Sequence, residues 1–325
     1  MKTLIENFPK QLREAVSIAQ STATRKQKIK QVLITGLGGS GIGGTIASEL
    51  VSGHCKVPVT VSKGYFIPAF VNEKTLVVVS SYSGNTEETI SAMKQALEKK
   101  AQVTVITSGG WIAEEARKQG LDIFHVPGGF PPRACLGYSL VILMHIFHAH
   151  KLIRKTPLKD FIKAAALLEK QSGKIVKEAQ KISDFLKGKL PVIYATTGNE
   201  GIAIRFRQQL NENSKMLCWH HVVPEMNHNE LVGWRNKNEN LAVIFLRHED
   251  EFERNVKRIE INREIISHYT PHILPVFSKG KSAIEKCIYL IHLTDWVSWF
   301  LSVENQVDAN EIDAINHLKN ELSKF

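Results

Sequence analysis

Three side chains in this sequence are of types that can move protons or stabilise negative charge: Glu212, His228 and Arg133. Glu212 ends a segment with helical spacing, and a carboxylate whose pKa is raised by burial is a suitable base near neutral pH. His228 follows sixteen residues later in a polar turn, where its imidazole can exchange protons near neutrality. Arg133 directly follows two prolines, and its guanidinium can stabilise an oxyanion without competing for protons. From the residues alone, Glu212 is more typical of a solvated acid at a helix end, and Arg133 can also form a surface salt bridge.

A glycine-rich turn, TGLGGSGIGG at 35–44, follows the first predicted strand. It contains G-x-G-x-x-G, but a dinucleotide site would also place an acidic residue near the end of the second strand, where this chain has Lys63. Lys63 could meet a 2′-phosphate, so an NADP-dependent oxidoreductase stays open as an alternative. The N–H groups of Gly38, Gly39 and Ser40, at a helix N-terminus, predict a site for a phosphate-like anion. The other interpretation is a tight strand-to-helix turn that binds nothing.

A second polar loop, SSYSGNTEET at 80–89, follows another predicted strand and precedes a helix. Ligands of open α/β sheets bind at the carboxyl ends of the strands. The hydroxyls of Ser81, Ser83 and Thr86 therefore predict a ring of neutral donors around a phosphate. Helix capping by Asn85, with Glu88 reaching back, is the structural alternative and is expected to occur as well.

Continuous apolar runs alternate with helical patterns in the first half of the chain, as in a parallel sheet covered on both faces. The predicted strands are Gln31–Thr35, Val57–Val61, Thr75–Ser81, Val103–Thr107 and Ile123–Val126. The predicted helices are Gly41–Val51, Glu87–Lys99, Ile112–Lys118 and Arg133–His150.

The alternation restarts after a long helical segment, Leu158–Leu186. The strands predicted there are Leu190–Thr196, Met216–His221, Leu241–Leu246 and Ile273–Val276, and the helices are Asn199–Asn213, Glu251–His268, Lys281–Ser302 and Asn310–Lys324. The sequence therefore predicts an α/β protein of two related domains. The first domain is expected to span residues 1–152, and the second, with its connecting helix, residues 153–325.

The formal charge of +10 favours anionic partners, but the lysines are dispersed and no basic run carries interleaved aromatics, so we expect no nucleic-acid binding. The first residues lack the apolar core and cleavage site of a signal peptide, and the longest apolar run is too short to span a bilayer. We expect neither secretion nor a membrane anchor.

Four cysteines occur without any C-x-x-C pattern, which is typical of a reduced intracellular protein. The histidine pairs at 145 and 148 and at 220 and 221 have no third ligand at a suitable spacing. We therefore predict a cytoplasmic protein without a metal site.

The loop SYSGNTEET resembles the signature of sugar isomerase (SIS) domains, and its pairing with GLGGSGIGG resembles the bifunctional phosphoglucose/phosphomannose isomerases. Four further blocks are similar to those of the same family and follow in the same order. They are PPRACLGY at 131–138, NENSK at 211–215, PEMNHNE at 224–230 and HLTDWVS at 292–298.

This resemblance implies two SIS-type domains, each a mainly parallel sheet flanked by helices. It implies an aldose–ketose isomerase that interconverts fructose 6-phosphate with glucose 6-phosphate, and with mannose 6-phosphate, without a cofactor. Glu212 would carry the proton between C1 and C2, His228 would open the sugar ring, and Arg133 would stabilise the enediolate. Lys319, in the last helix, would add a cation, while Glu225 and Glu230 flank His228 and could orient it.

The family also suggests a homodimer with the site near the subunit interface. One segment departs from the pattern: where many relatives read V-D-P, this chain has VDAN at 307–310. Because that tail contributes to the substrate pocket in relatives, the preference between glucose and mannose phosphates stays open. A phosphosugar-sensing protein without catalysis, or an isomerase for another phosphosugar, are the remaining alternatives.

Overall fold

The computed structural model describes residues 1–25 and 28–325. Packing divides these residues into two compact units. The amino-terminal unit comprises Glu6–Lys170 and Lys279–Tyr289, and the carboxyl-terminal unit comprises Met1–Ile5, Gln171–Ser278 and Leu290–Phe325. The domain boundary predicted at residues 152 and 153 stays a prediction.

The amino-terminal unit is built on a five-stranded parallel sheet with the order β2-β1-β3-β4-β5. The strands are β1 (Gln31–Thr35), β2 (Val59–Ser62), β3 (Thr75–Ser80), β4 (Gln102–Thr107) and β5 (Asp122–His125). All six residues of β3 are buried, because this strand lies in the middle of a sheet covered on both faces.

Among the described residues, five helices accompany this sheet: α2 (Phe8–Ser21), α3 (Gly38–Val51), α4 (Glu87–Glu98), α5 (Gly110–Lys118) and α6 (Leu136–Ala149). The short helix α1 (Lys2–Glu6) precedes them, and its residues up to Ile5 belong to the carboxyl-terminal unit. The side chain of Gln11, on α2, fixes the start of α6. Its amide donates to the carbonyl of Ala134 at 2.8 Å and accepts from the N–H of Gly137 at 2.8 Å. These bonds secure the turn that carries Arg133.

The carboxyl-terminal unit contains a four-stranded parallel sheet with the order β7-β6-β8-β9. Its strands are β6 (Leu190–Thr196), β7 (Trp219–Val223), β8 (Leu241–Arg247) and β9 (Ile273–Phe277). The remaining helices are α7 (Leu158–Leu186), α8 (Glu200–Ser214), α9 (Glu253–Ser267), α10 (Ala283–Glu304) and α11 (Asp313–Leu322). The division between the units falls within α7 and within α10. The predicted fold class, two mainly parallel sheets flanked by helices, is confirmed.

Three local predictions are corrected by the structure. The helix predicted from Arg133 starts at Leu136, and a separate 3₁₀ turn, Pro132–Ala134, precedes it because Cys135 is not helical (φ −109°, ψ 14°). The strand predicted at Met216–His221 starts only at Trp219. Lys215 is left-handed (φ 56°) and the N–H of Met216 bonds back to Leu210, so these residues end α8 instead.

The third correction concerns the start of α4. Its N-cap residue is Thr86, and no side chain caps it. The Asn85 side chain, which was expected to cap this helix, instead accepts a hydrogen bond from the N–H of Trp111 at 2.9 Å. Asn85 therefore ties the hydroxyl loop to α5.

Candidate active site

The glycine turn lies between the end of β1 and the start of α3. The helix begins at Gly38, which has a φ of +53°, a conformation that favours glycine. Gly38, Gly39 and Ser40 therefore form the first turn of a 14-residue helix, and the N-terminal end of a helix favours an anion. The N–H of Ser40 donates to the carbonyl of Leu37 at 3.1 Å. The structure thus places all three predicted residues at a helix N-terminus.

Arg133 lies directly against this turn. A Cβ atom at Gly39 would lie 2.7 Å from the carbonyl oxygen of Pro132 and 2.9 Å from the backbone nitrogen of Arg133. Any side chain at position 39 would clash with this backbone, so the position of the Arg133 turn requires glycine at position 39. Arg133 is 3% exposed, which argues against the alternative of a surface salt bridge.

The hydroxyl loop joins the same turn through Ser40. The N–H of Tyr82 donates to Ser40 Oγ at 3.1 Å. Within the loop, the buried hydroxyl of Ser81 donates to Thr86 Oγ1 at 3.1 Å, and exposed Ser83 accepts from the N–H of Asn85 at 3.3 Å. The structure therefore brings the glycine turn, the hydroxyl loop and the Arg133 turn together at the carboxyl ends of β1 and β3.

The space enclosed behind the glycine turn is small. A cavity of about 10 Å³ is bordered by Gly39, Ser40, Tyr82 and Tyr138, among others. This volume holds one water molecule at most. The enclosed cavity is therefore too small for a phosphate group.

Tyr82 is a residue of this region that the sequence analysis did not single out. Its hydroxyl donates to the carbonyl of Pro127 at 2.9 Å and accepts from the N–H of Phe130 at 3.0 Å. Burial raises the pKa of Tyr82, so the hydroxyl stays a donor at all physiological pH values. Tyr82 thereby holds the segment that leads into the Arg133 turn.

In the carboxyl-terminal unit, Glu212 lies in the last turn of α8 and is partly buried. The buried face of α8 is bonded to α10. Arg205 forms an ion pair with Asp295 (Nη2 to Oδ2, 2.7 Å), Gln209 donates to Asp295 Oδ1 at 3.0 Å, and Asn213 donates to Ser298 Oγ at 3.0 Å. This array fixes the rotation of the helix that carries Glu212.

The ion pair lies in the protein interior, since the side chains of Arg205 and Asp295 are 2% and 7% exposed. Burial raises the pKa of Asp295, and the guanidinium of Arg205 opposes that rise. The block HLTDWVS at 292–298 thus has a visible structural role in holding α8. Sequence reasoning could not find this pair, because its members are separated by 90 residues.

The segment at 307–310, which departs from the family pattern, lies close to the end of α8. Lys215 donates to the carbonyl of Glu212 at 2.5 Å and to that of Glu311 at 2.7 Å. Within the segment, the N–H of Asn310 donates to Asp308 Oδ1 at 2.8 Å and lowers the pKa of this carboxylate. Lys215 therefore joins Glu311, the residue that follows this segment, to the end of α8 that carries Glu212.

The two other predicted residues of this unit are exposed. His228 ends a 3₁₀ turn, Glu225–His228, that follows β7. Lys319 lies on α11, all of whose residues are exposed. Seven predicted residues therefore lie in the amino-terminal unit, and Glu212, His228 and Lys319 lie in the carboxyl-terminal unit.

Residues 1–25 and 28–325 contain no cluster of three or more His, Cys, Asp or Glu side chains arranged to hold a metal ion. Within the same ranges, no helix has both the length and the apolar content required to cross a lipid bilayer.

Comparison with known proteins defines first the fold class and then the family. Residues 175–322 match the family described as "Bacterial phospho-glucose isomerase C-terminal SIS domain". The fold is similar to the solved C-terminal domain of glucosamine-fructose-6-phosphate aminotransferase from Francisella tularensis, with a TM-score of 0.79, 16% identity, and coverage of 95% of this chain and 97% of that one. The chain is thus an SIS-fold protein.

Two relatives extend the similarity over nearly the whole chain. The bifunctional phosphoglucose/phosphomannose isomerase of Caldicellulosiruptor bescii is 37% identical, over 99% of this chain and 98% of its own. The protein of the same name from Aquifex aeolicus is 35% identical, over 91% of each chain. The chain belongs to the bifunctional phosphoglucose/phosphomannose isomerase family. The resemblance found in the sequence is confirmed, and with it the class of enzyme, an aldose–ketose isomerase.

Proposed function

We propose that this protein interconverts fructose 6-phosphate with glucose 6-phosphate and with mannose 6-phosphate through an enediolate. The reaction moves one proton between C1 and C2 and shifts the carbonyl group, so it is redox-neutral and consumes no co-reactant. Which aldose forms depends on the face of C2 that receives the proton.

The observation that carries this proposal is the contact of the Arg133 turn with Gly39. It places a buried arginine beside a helix N-terminus and a loop of neutral hydroxyls. Gly38 and Gly39 would bind the phosphate through N–H groups and Ser40 through its hydroxyl. Ser83 and Thr86 would add hydroxyl donors, with Ser81 holding Thr86 through its own hydrogen bond. Arg133 would stabilise the enediolate oxygen as negative charge develops there.

Glu212 is proposed as the base that carries the proton between C1 and C2. Its helix is held by the buried bonds from Arg205, Gln209 and Asn213, which give the carboxylate a fixed support. His228, exposed on its turn, would exchange protons with the ring oxygen and the anomeric hydroxyl during ring opening. Lys319 would contribute a further positive charge.

The proposal includes a cytoplasmic homodimer with the site near the subunit interface. None of the four cysteines is in a disulfide, which suits a reducing compartment. On α11, Ile315, Leu318 and Leu322 share one helix face and are 40%, 58% and 51% exposed. An apolar face of this kind is typical of a surface that another subunit covers.

The test is a coupled assay on protein treated with EDTA. Fructose 6-phosphate is supplied, and glucose 6-phosphate and mannose 6-phosphate are followed separately for the wild type, Glu212→Gln and Glu200→Gln. Glu200 is a matched control, because it lies on the same helix in its first turn and is partly exposed. We expect both products from the wild type, a loss of at least about 10³-fold for Glu212→Gln, and a change of less than about twofold for Glu200→Gln.

Formation of only one of the two aldose phosphates would support the isomerase mechanism and limit the reaction to that aldose. Absence of turnover with either aldose, in folded protein, would overturn the hexose phosphate assignment. Retained binding of fructose 6-phosphate in that case would favour a sensor, and a nicotinamide fluorescence change on titration with NADPH would favour an oxidoreductase.

A further inference from the structure

His228 is an exposed side chain between two anchored neighbours. On one side, Met226 is fully buried, and the amide of Asn227 donates to Asn262 Oδ1 at 2.6 Å. On the other side, a second 3₁₀ turn begins at Glu230. The backbone on either side of the histidine is therefore held, although the imidazole itself faces solvent.

Glu230 is bonded to the sheet through aromatic side chains. The hydroxyl of Tyr194, in the middle of β6, and the indole N–H of Trp219 (3.3 Å) both donate to Glu230 Oε1. The indole N–H of Trp234 in turn donates to the Tyr194 hydroxyl at 3.1 Å. Tyr194 is fully buried, so the carboxylate is attached to a rigid strand.

Glu225, the other acid that flanks His228, has a weaker support. Glu225 is exposed, and its carboxylate accepts a hydrogen bond from the exposed side chain of Asn229, whose Nδ2 donates to Glu225 Oε1 at 2.9 Å. Glu230 also holds Asn229, because the N–H of Glu230 donates to Asn229 Oδ1 at 2.5 Å. Asn229 also contacts β7, because its Oδ1 lies 3.2 Å from His221 Nε2. Of the two acids, Glu230 is therefore the one whose own carboxylate accepts hydrogen bonds from strand residues.

The surroundings of Glu230 explain why its bonds matter. Its partner Tyr194 belongs to an apolar cluster that also contains Trp234, Val243 and Phe245, and its partner Trp219 packs against that cluster. An ionised carboxylate is costly beside apolar side chains unless it accepts hydrogen bonds. Burial and the charge of Glu230 raise the pKa of Tyr194, which keeps the hydroxyl protonated as a donor.

A cavity of about 580 Å³ lies beside the carboxylate, bordered by Glu230, Trp219, Trp234 and Leu241. Without the Tyr194 hydroxyl, the carboxylate would gain hydration by turning into this space. Residues 229 and 228 would then follow, because they are joined to Glu230 by one short stretch of backbone.

We propose that Glu230, held by Tyr194 and Trp219, is a positioning residue that places His228 for opening of the sugar ring. This inference rests on the proposed function. The specific requirement is an acceptor at position 230 and a donor hydroxyl at position 194, whereas a negative charge at position 230 is not itself required.

The experiment measures ring opening separately from isomerisation. Exchange NMR follows the interconversion of the α and β anomers of glucose 6-phosphate, and the coupled assay gives kcat and KM for the same proteins. The variants are Tyr194→Phe, Glu230→Leu and Glu230→Gln, with Tyr269→Phe as the matched control. Tyr269 packs at the edge of the same apolar cluster, so its variant also removes one hydroxyl there.

Tyr194→Phe and Glu230→Leu are expected to lower catalysed anomerisation by about 10–100-fold, with KM changed by less than about threefold, because a small displacement of a catalytic group is enough for such a loss. Glu230→Gln keeps the acceptor oxygen and is expected to retain most of the rate. Tyr269→Phe is expected to match the wild type, and Glu212→Gln to anomerise without isomerising.

Wild-type anomerisation rates in folded Tyr194→Phe and Glu230→Leu would overturn the inference. So would a wild type that isomerises without accelerating anomerisation, or a Glu230→Gln variant as impaired as Glu230→Leu. Failure of the proposed function looks different, because the wild type itself would then produce neither aldose. Circular dichroism and thermal unfolding confirm that each variant is folded, and Tyr194→Phe, which changes one atom, remains informative if Glu230→Leu does not fold.

Discussion

The buried ion pair between Arg205 and Asp295 offers the sharpest test of how the structure supports Glu212. In Asp295→Ala, the guanidinium of Arg205, which is 2% exposed, would lose its counter-charge, and Gln209 would lose its acceptor. The Nε of Arg205 already has no partner among the described residues. The variant would therefore leave a buried cation with no compensating carboxylate.

The size of the effect follows from this geometry. Removing one member of a buried ion pair costs about 3–5 kcal/mol, since the remaining charge is desolvated and unpaired. That is a change of roughly 10²–10⁴-fold in the unfolding equilibrium constant. Replacing both members by apolar side chains of similar volume, in Arg205→Met with Asp295→Leu, removes the unpaired charge and is expected to restore most of the lost stability.

Urea unfolding of the full chain, followed by tryptophan fluorescence, measures this difference. Trp296 is adjacent to Asp295 on α10 and reports on the helix concerned. The coupled isomerase assay on the same proteins tests whether α8 still presents Glu212, and we expect kcat to fall in the single variant more than in the double. A loss of less than about 1 kcal/mol for Asp295→Ala, or a double variant as unstable as the single one, would refute the reasoning.

Two further predictions concern pH and assembly. Burial lowers the pKa of His292 to about 3, while the unfolded value is about 6.5, so the unfolded state binds more protons between these values and stability falls as the pH drops below 6.5. His292→Leu is expected to reduce the pH dependence of the free energy of unfolding by up to about 1.4 kcal/mol per pH unit. Urea unfolding at pH 5 and pH 7 measures this dependence, and the same dependence in the wild type and the variant would contradict the prediction. Light scattering is expected to give twice the chain mass of 36.5 kDa for the wild type and the chain mass for Leu318→Asp with Ile315→Asp, and a monomeric wild type would reject the homodimer.

Much of the secondary structure followed from local patterns. The bounds of β1, β6 and α7 agree with the prediction residue for residue, because each is an uninterrupted apolar or amphipathic run with polar residues or glycine at its ends. The error at Met216–His221 arises because hydrophobic patterns do not show where a helix ends. Lys215 is left-handed and caps α8, and the apolar residues that follow it resemble the start of a strand in the sequence.

The catalytic candidates were visible as residue types and motifs, whereas their supports were not. The glycine turn and the hydroxyl loop could be inferred from the sequence, because each is a short run of consecutive residues with N–H or hydroxyl donors. The bonds that hold Glu212 and His228 join Arg205 to Asp295, 90 residues away, and Tyr194 to Glu230, 36 residues away. Such pairs depend on which strands and helices become neighbours when the chain packs. Neighbouring residues along the chain therefore revealed what chemistry is available, and only the packed structure revealed which side chains hold it in place.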